Sequence, residues 1–155
     1  MPKLDLSAIA QTNATGYPAP FDADVKGRWY RRLAPAAGLT KMGASHVELK
    51  PGAYSSQRHW HTEQDELLVM LSGEAILIEE DGETVVSAGD ILAWKAGTEN
   101  GHRLHNRSSE PCFFVAVSAG DRDKDGGAYP DIDMVFDAEG YARKDGTRYD
   151  TTRLP

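Results

Sequence analysis

Two histidines separated by one tryptophan, His59-Trp60-His61, stand just ahead of an apolar run that opens with a carboxylate, Glu66-Leu67-Leu68-Val69-Met70-Leu71. This pattern constrains the fold because it needs extended backbone. Along a strand, side chains at i and i+2 share a face, so His59 and His61 can grip one ion together. By the same parity Glu66, Leu68 and Met70 share a face. A carboxylate entering an apolar strand is costly to bury unless it is paired or ligates a metal. A third imidazole follows in Gly101-His102-Arg103-Leu104-His105-Asn106. Three nitrogens and one carboxylate suit a divalent ion (Zn, Mn, Fe, Ni or Co) with positions left for water or substrate.

Neighbouring polar residues are read against that set. Asp65 adjoins Glu66 but has the opposite parity, as His105 does to His102, so both are expected to face away from the site. The face of His46 is not assigned by the pattern. Lys95 reads as an exposed loop lysine, although it could reach an anionic substrate. Asp121-Arg122-Asp123-Lys124-Asp125-Gly126 imitates the start of a calcium loop, but Ile132 stands where the bidentate Glu belongs. A solvated acidic turn is the reading adopted.

The rest of the chain is a succession of short strands. Ser45-His46-Val47-Glu48-Leu49 alternates and ends at Pro51-Gly52. Glu74 to Ile78 and Thr84 to Val86 flank Asp81-Gly82, a two-residue hairpin signal. Ile91 to Trp94, His102 to Asn106 and Cys112 to Ser118 complete the series. No convincing amphipathic helix interrupts it, which predicts an all-β sandwich or barrel. With 155 residues one domain is the natural count. Residues 1–40, holding Trp29 and Tyr30, read as an N-terminal arm, 41–118 as the barrel, and 119–155 as a C-terminal extension whose one strand-like stretch is 132–136.

Composition narrows the partners. The formal net charge of -7 argues against nucleic acid and against an anionic membrane surface. No stretch approaches a membrane span, and Met1-Pro2-Lys3-Leu4 begins no signal-peptide core. The single cysteine, Cys112, lies in an apolar run and reads as an inert core thiol. These features fit a cytoplasmic protein.

The motifs resemble those of the cupin superfamily. The first stands here as Gly52, His59, His61, Glu66 and Gly73, with one extra residue between Gly52 and His59. The second stands as Gly89, Lys95, Gly97, His102 and Asn106. Lys95 replaces the usual proline, and two extra residues precede His102. The whole chain looks like a group of small single-domain bacterial cupins that carry a sugar-phosphate-isomerase-like label. The resemblance implies a double-stranded β-helix, or jelly roll, with extended N- and C-terminal arms. It implies His59, His61, Glu66 and His102 as metal ligands, and a homodimer.

If the ligands face inward, so do Leu68, Met70, Leu104 and Asn106, which makes the expected pocket wall mostly apolar. Phosphate recognition needs Arg, Lys or a nest of amides. That wall offers none, although Arg58, Arg103 or the N-terminal arm could close over the mouth. A small organic molecule that chelates the metal is the expected ligand. The expected function is a metal-dependent isomerase, lyase or dioxygenase. The alternatives are a non-catalytic binding or sensing module, and a metal that only stabilises an interaction scaffold. Glu66 or a metal-bound hydroxide could act as base, as could Tyr54 if it points inward.

Overall fold

The computed structural model describes residues 3–150; the ends of the two expected arms, residues 1–2 and 151–155, lie outside the described residues. Alternating apolar and polar residues produce the expected series of strands. They are β1 (Arg28–Arg32), β2 (Gly43–Leu49), β3 (Trp60–His61), β4 (Gln64–Ser72), β5 (Glu74–Glu79), β6 (Gly82–Ser87), β7 (Ile91–Trp94), β8 (Arg103–His105), β9 (Cys112–Gly120), β10 (Gly127–Tyr129), β11 (Met134–Asp137) and β12 (Gly140–Ala142). Among the described residues helix is confined to one α turn, α1 (Leu33–Ala36), and two 3-10 turns. No helix among the described residues is long and apolar enough to cross a membrane.

The strands form a jelly roll. One sheet runs β1-β2-β9-β4-β7, a second β6-β5-β8, and a third β12-β11-β10-β3. The core lies between the first two. It is built by Val47 and Leu49 of β2, Leu68 and Met70 of β4, Leu77 of β5, Leu104 of β8, and Cys112 and Phe114 of β9. Parity on β4 is as expected: Leu68 and Met70 are 7% and 1% exposed, against 40% for Leu67 and 47% for Leu71. Cys112 is fully buried, and burial pushes its thiol up to about 11, so it is inert at neutral pH.

Three local expectations shift. Trp29 and Tyr30 belong to a strand, since β1 pairs with β2 over its whole length. The C-terminal segment carries three strands rather than one, and β10 pairs with β3 through Gly127↔His61 and Ala128↔Trp60. Such a close approach needs glycine: a Cβ on Gly127 would collide with the Trp60 carbonyl. The β5–β6 hairpin turns at Glu80-Asp81, one residue early, because Glu79 pairs with Gly82, which takes φ +126.

Asn106 is fully buried and acts as a clamp. Its amide donates to the carbonyls of Leu49 and Glu110, both at 2.8 Å, and its carbonyl accepts from Ser108 N and Oγ. It therefore sits in the structural framework and not on the pocket wall where parity had placed it. Met70, at 1% exposure, is likewise core rather than wall. Asn106→Ala leaves two carbonyls without their donor, so the urea midpoint should fall by the equivalent of about 2–3 kcal/mol. An unchanged midpoint would contradict the clamp.

Candidate metal centre

His59 and His102 are placed side by side by a backbone bridge, with His59 N donating to His102 O at 3.4 Å and His102 N to His59 O at 3.0 Å. His61 follows on β3, and Glu66 faces them from β4. One ligand atom each from His59, His61 and Glu66 lie within 4.8 Å of one another. His102 closes on the same carboxylate, its Nε2 lying 2.9 Å from Glu66 Oε2, while His61 Nε2 lies 3.7 Å from Oε1. Three of the four expected ligands thus form one group, and His102 meets it through the Glu66 carboxylate.

The hydrogen bonds on the far side of each ring fix its chemistry. His59 Nδ1 meets the Gln57 carbonyl at 2.8 Å, His61 Nδ1 meets Asp125 Oδ2 at 2.6 Å, and His102 Nδ1 meets the Asn100 carbonyl at 3.2 Å. These partners only accept, so each Nδ1 carries the hydrogen and each Nε2 turns its lone pair inward. A lone pair can meet the Glu66 carboxylate only across a proton or a metal ion. The donor set and its outer hydrogen bonds suit a divalent ion held by three imidazoles and one carboxylate.

Aromatic rings hold the imidazoles in place. Trp94 stacks on His102 with centroids 3.8 Å apart, Tyr129 stacks on His59 at 5.4 Å, and Phe136 lies edge-on to His61 at 5.1 Å. Glu79 ties Trp94 to the His102 support, accepting from Trp94 Nε1 at 2.8 Å and from Asn100 Nδ2 at 2.9 Å.

Burial and facing charges lower the pKa of two of these groups. Burial lowers the His59 pKa to about 4, although Glu66 opposes the shift. Burial pushes the Glu66 carboxyl up, but the hydrogen bond from His102 and the charges of the three imidazoles, present when their Nε2 atoms are protonated, outweigh it and bring the pKa to about 2. Asp125 is 4% exposed and also accepts from Glu63 N at 3.0 Å and Gln64 Nε2 at 2.7 Å.

The remaining candidates fall as follows. Leu68 and Leu104 line a cavity of about 340 Å³ beside Glu66, His59 and His102. Tyr54, considered as a base, is stacked on His105 at 4.0 Å beneath the Arg103 guanidinium and does not line that cavity. Asp65 faces out and accepts from Ala96 N at 2.8 Å, and His105 binds Arg107 Nε. His46 lies away from the cluster, tilted against Phe113. Lys95 is exposed on the loop after β7. The acidic segment read as a solvated turn supplies Asp125, which with Tyr129 and Phe136 is the part of the site that sequence reasoning missed. An Asp at the far end of an acidic run, followed by two glycines, was the available signal.

The chain is similar to known proteins along most of its length. The cupin-domain family model matches residues 45–118. A crystal structure described as a sugar phosphate isomerase from a cupin superfamily, from Silicibacter pomeroyi, is 39% identical and covers 96% of each chain with a TM-score of 0.89. Two more distant structures share the fold. A candidate sugar phosphate isomerase from Acidithiobacillus ferrooxidans is 22% identical, covering 82% of this chain and 81% of its own, with a TM-score of 0.70. The polyketide cyclase RemF from Streptomyces resistomycificus is 16% identical, covering 81% and 83%, with a TM-score of 0.64. None of the curated proteins matches the chain.

Two predictions follow from the ring supports and the shifted acidities. Asp125→Asn should weaken divalent-metal affinity about 10- to 100-fold in competitive chelator titrations; wild-type affinity would exclude the His61 support. In metal-free protein, the unfolded chain protonates His59 near 6.5 and Glu66 near 4.5, whereas the fold refuses those protons until about 4 and about 2. Both shifts remove stability as pH falls, the His59 effect between 6.5 and 4 and the Glu66 effect between 4.5 and 2. The urea midpoint should decline from pH 6.5 to 4 and decline less steeply in His59→Gln; equal slopes would contradict the assignment.

Proposed function

The chain belongs to the cupin superfamily, and within it we propose a metal-dependent enzyme acting on a small organic molecule that offers two oxygens to the ion. The observation that carries the reading is the convergence of three inward Nε2 lone pairs and the Glu66 carboxylate beside a cavity of about 340 Å³. A divalent ion held there would supply Lewis-acid polarisation of a substrate oxygen, or oxygen activation if it were iron. His59, His61, His102 and Glu66 are the proposed ligands.

The chain's own groups define what else happens in the cavity. Leu68, Leu104 and Phe114 give it an apolar wall that limits water. Glu66 is the one carboxylate among the described residues that line it, and so the one acid available to take a proton there. Tyr17 also lines it; its hydroxyl accepts from Gln57 N at 3.3 Å, and burial holds its phenol above the usual range, so it does not act as a base at neutral pH. Isomerase chemistry is favoured over lyase or dioxygenase chemistry because the 39% identical Silicibacter pomeroyi protein carries an isomerase name. A non-catalytic binding module is the second reading, favoured by one feature: Glu66 already faces His102 at 2.9 Å, leaving no separate base.

A homodimer is proposed with either reading, since β4 and β7 expose Leu67, Leu71 and Ile91, the last at 65%. Cytoplasmic placement is proposed from the reduced, buried Cys112. The functional test is a turnover screen of protein reconstituted with Mn, Fe, Zn, Ni or Co against hydroxy-carbonyl and diketone compounds. Turnover should vanish with chelator, return with metal, and fall at least about 100-fold in Glu66→Gln. Saturable thermal shifts without turnover would establish the binding module, and neither response would sink both readings.

A further inference from the structure

Arg28, from β1, lines the same cavity as Glu66, His59 and His102. Its guanidinium has no carboxylate partner among the described residues. Nη1 donates to the Ser55 carbonyl at 3.3 Å and Nη2 to the Ala14 carbonyl at 3.4 Å, both long bonds to neutral acceptors. Nε is buried and has no partner at all. The charge also lies over the Tyr30 ring, 5.0 Å from its centroid. A buried donor left unpaired is expensive, and an ionised one more so.

Several other arginines are committed to carboxylates. Arg58 is gripped by Asp131 at 2.7 and 2.9 Å and by Glu80 at 2.8 Å. Arg107 pairs with Glu83, and Arg148 with Asp137 and Glu139. The one other arginine on the cavity wall is Arg103, which lies over Tyr54 with its Nε also buried and unpaired. Against Arg28 and Arg103 the described wall offers the single carboxylate Glu66, which faces the imidazoles. In a chain of net charge -7 this concentrates positive charge at one cavity.

We propose that Arg28 binds the anionic end of the ligand, so that the molecule held in this cavity is a small phosphate or carboxylate whose other oxygens reach the metal cluster. The planar fork of a guanidinium matches either oxyanion with two parallel N–H···O bonds, which Nη1 and Nη2 can supply, each keeping a second N–H beyond its long bond to a carbonyl. The apolar wall formed by Leu68 and Leu104 then holds the carbon skeleton between the two charged ends. This inference rests on the proposed metal site for the ligand's other end, but its charge argument stands on Arg28 alone.

The test is calorimetric titration of inorganic phosphate and, separately, malonate into wild type, Arg28→Lys, Arg28→Gln and the surface control Arg107→Gln, each metal-loaded and chelated. Wild type and Arg107→Gln should bind at least one anion saturably, and the anion preferred tells phosphate from carboxylate recognition. Arg28→Gln should bind at least about tenfold more weakly with metal content unchanged, and Arg28→Lys should lose affinity because the fork is gone. If Arg28→Gln fails to fold, Arg28→Lys decides. No saturable anion binding by wild type, or equal binding by wild type and Arg28→Lys with a folded Arg28→Gln also equal, overturns the inference. Arg28-dependent anion binding in a protein that takes up no metal would keep this inference and remove the metal reading.

Discussion

Three Nδ1–H groups, each tied to an oxygen that the fold positions, decide what the inner faces of His59, His61 and His102 can do. Two of those oxygens are backbone carbonyls, of Gln57 and Asn100, and the third is the buried carboxylate of Asp125. Once the outer nitrogens are committed, the inner ones can only accept. Glu66 accepts as well, yet it sits 2.9 Å from His102 Nε2. Acceptors brought this close call for a metal ion or shared protons between them, and this requirement links the strand register, the stacked aromatic rings and the cavity to a single centre.

The C-terminal strands belong to this constraint. Pairing of β10 with β3 brings Asp125 and Tyr129 to the imidazoles, and β11 adds Phe136. The pairing depends on a residue without a side chain at Gly127, where the Trp60 carbonyl approaches too closely for a Cβ. On the opposite flank, β1 extends the main sheet and delivers Arg28 to the cavity. The barrel thus supplies the candidate ligands, while the flanking segments supply their orientation and the charge around them.

Strand parity made the candidate cluster legible. A two-residue period fixes which face a side chain takes, so His59, His61, Glu66 and the outward Asp65 could be sorted without knowing the fold. Parity does not fix depth. Met70 and Asn106 point inward as read, but lie in the core and in a hydrogen-bonded clamp instead of on the cavity wall. Tyr54 is drawn into a stack with His105 by a backbone bridge that no local pattern reveals. Asp125 lies 64 residues from His61, in a segment whose charge and glycine content read as solvent-exposed, and Arg28 sits in a stretch that read as an arm. Both are placed by long-range pairing, which a one-dimensional pattern does not encode.

Elemental analysis of the purified protein, wild type against the His59→Ala/His61→Ala double variant, tests the central claim most directly. Near-stoichiometric divalent metal in wild type, lost in a folded double variant, is the predicted result, and the identity of the ion would select the chemistry. A wild type that holds no metal even after reconstitution would contradict the account. The four groups would then have to be held together by shared protons alone.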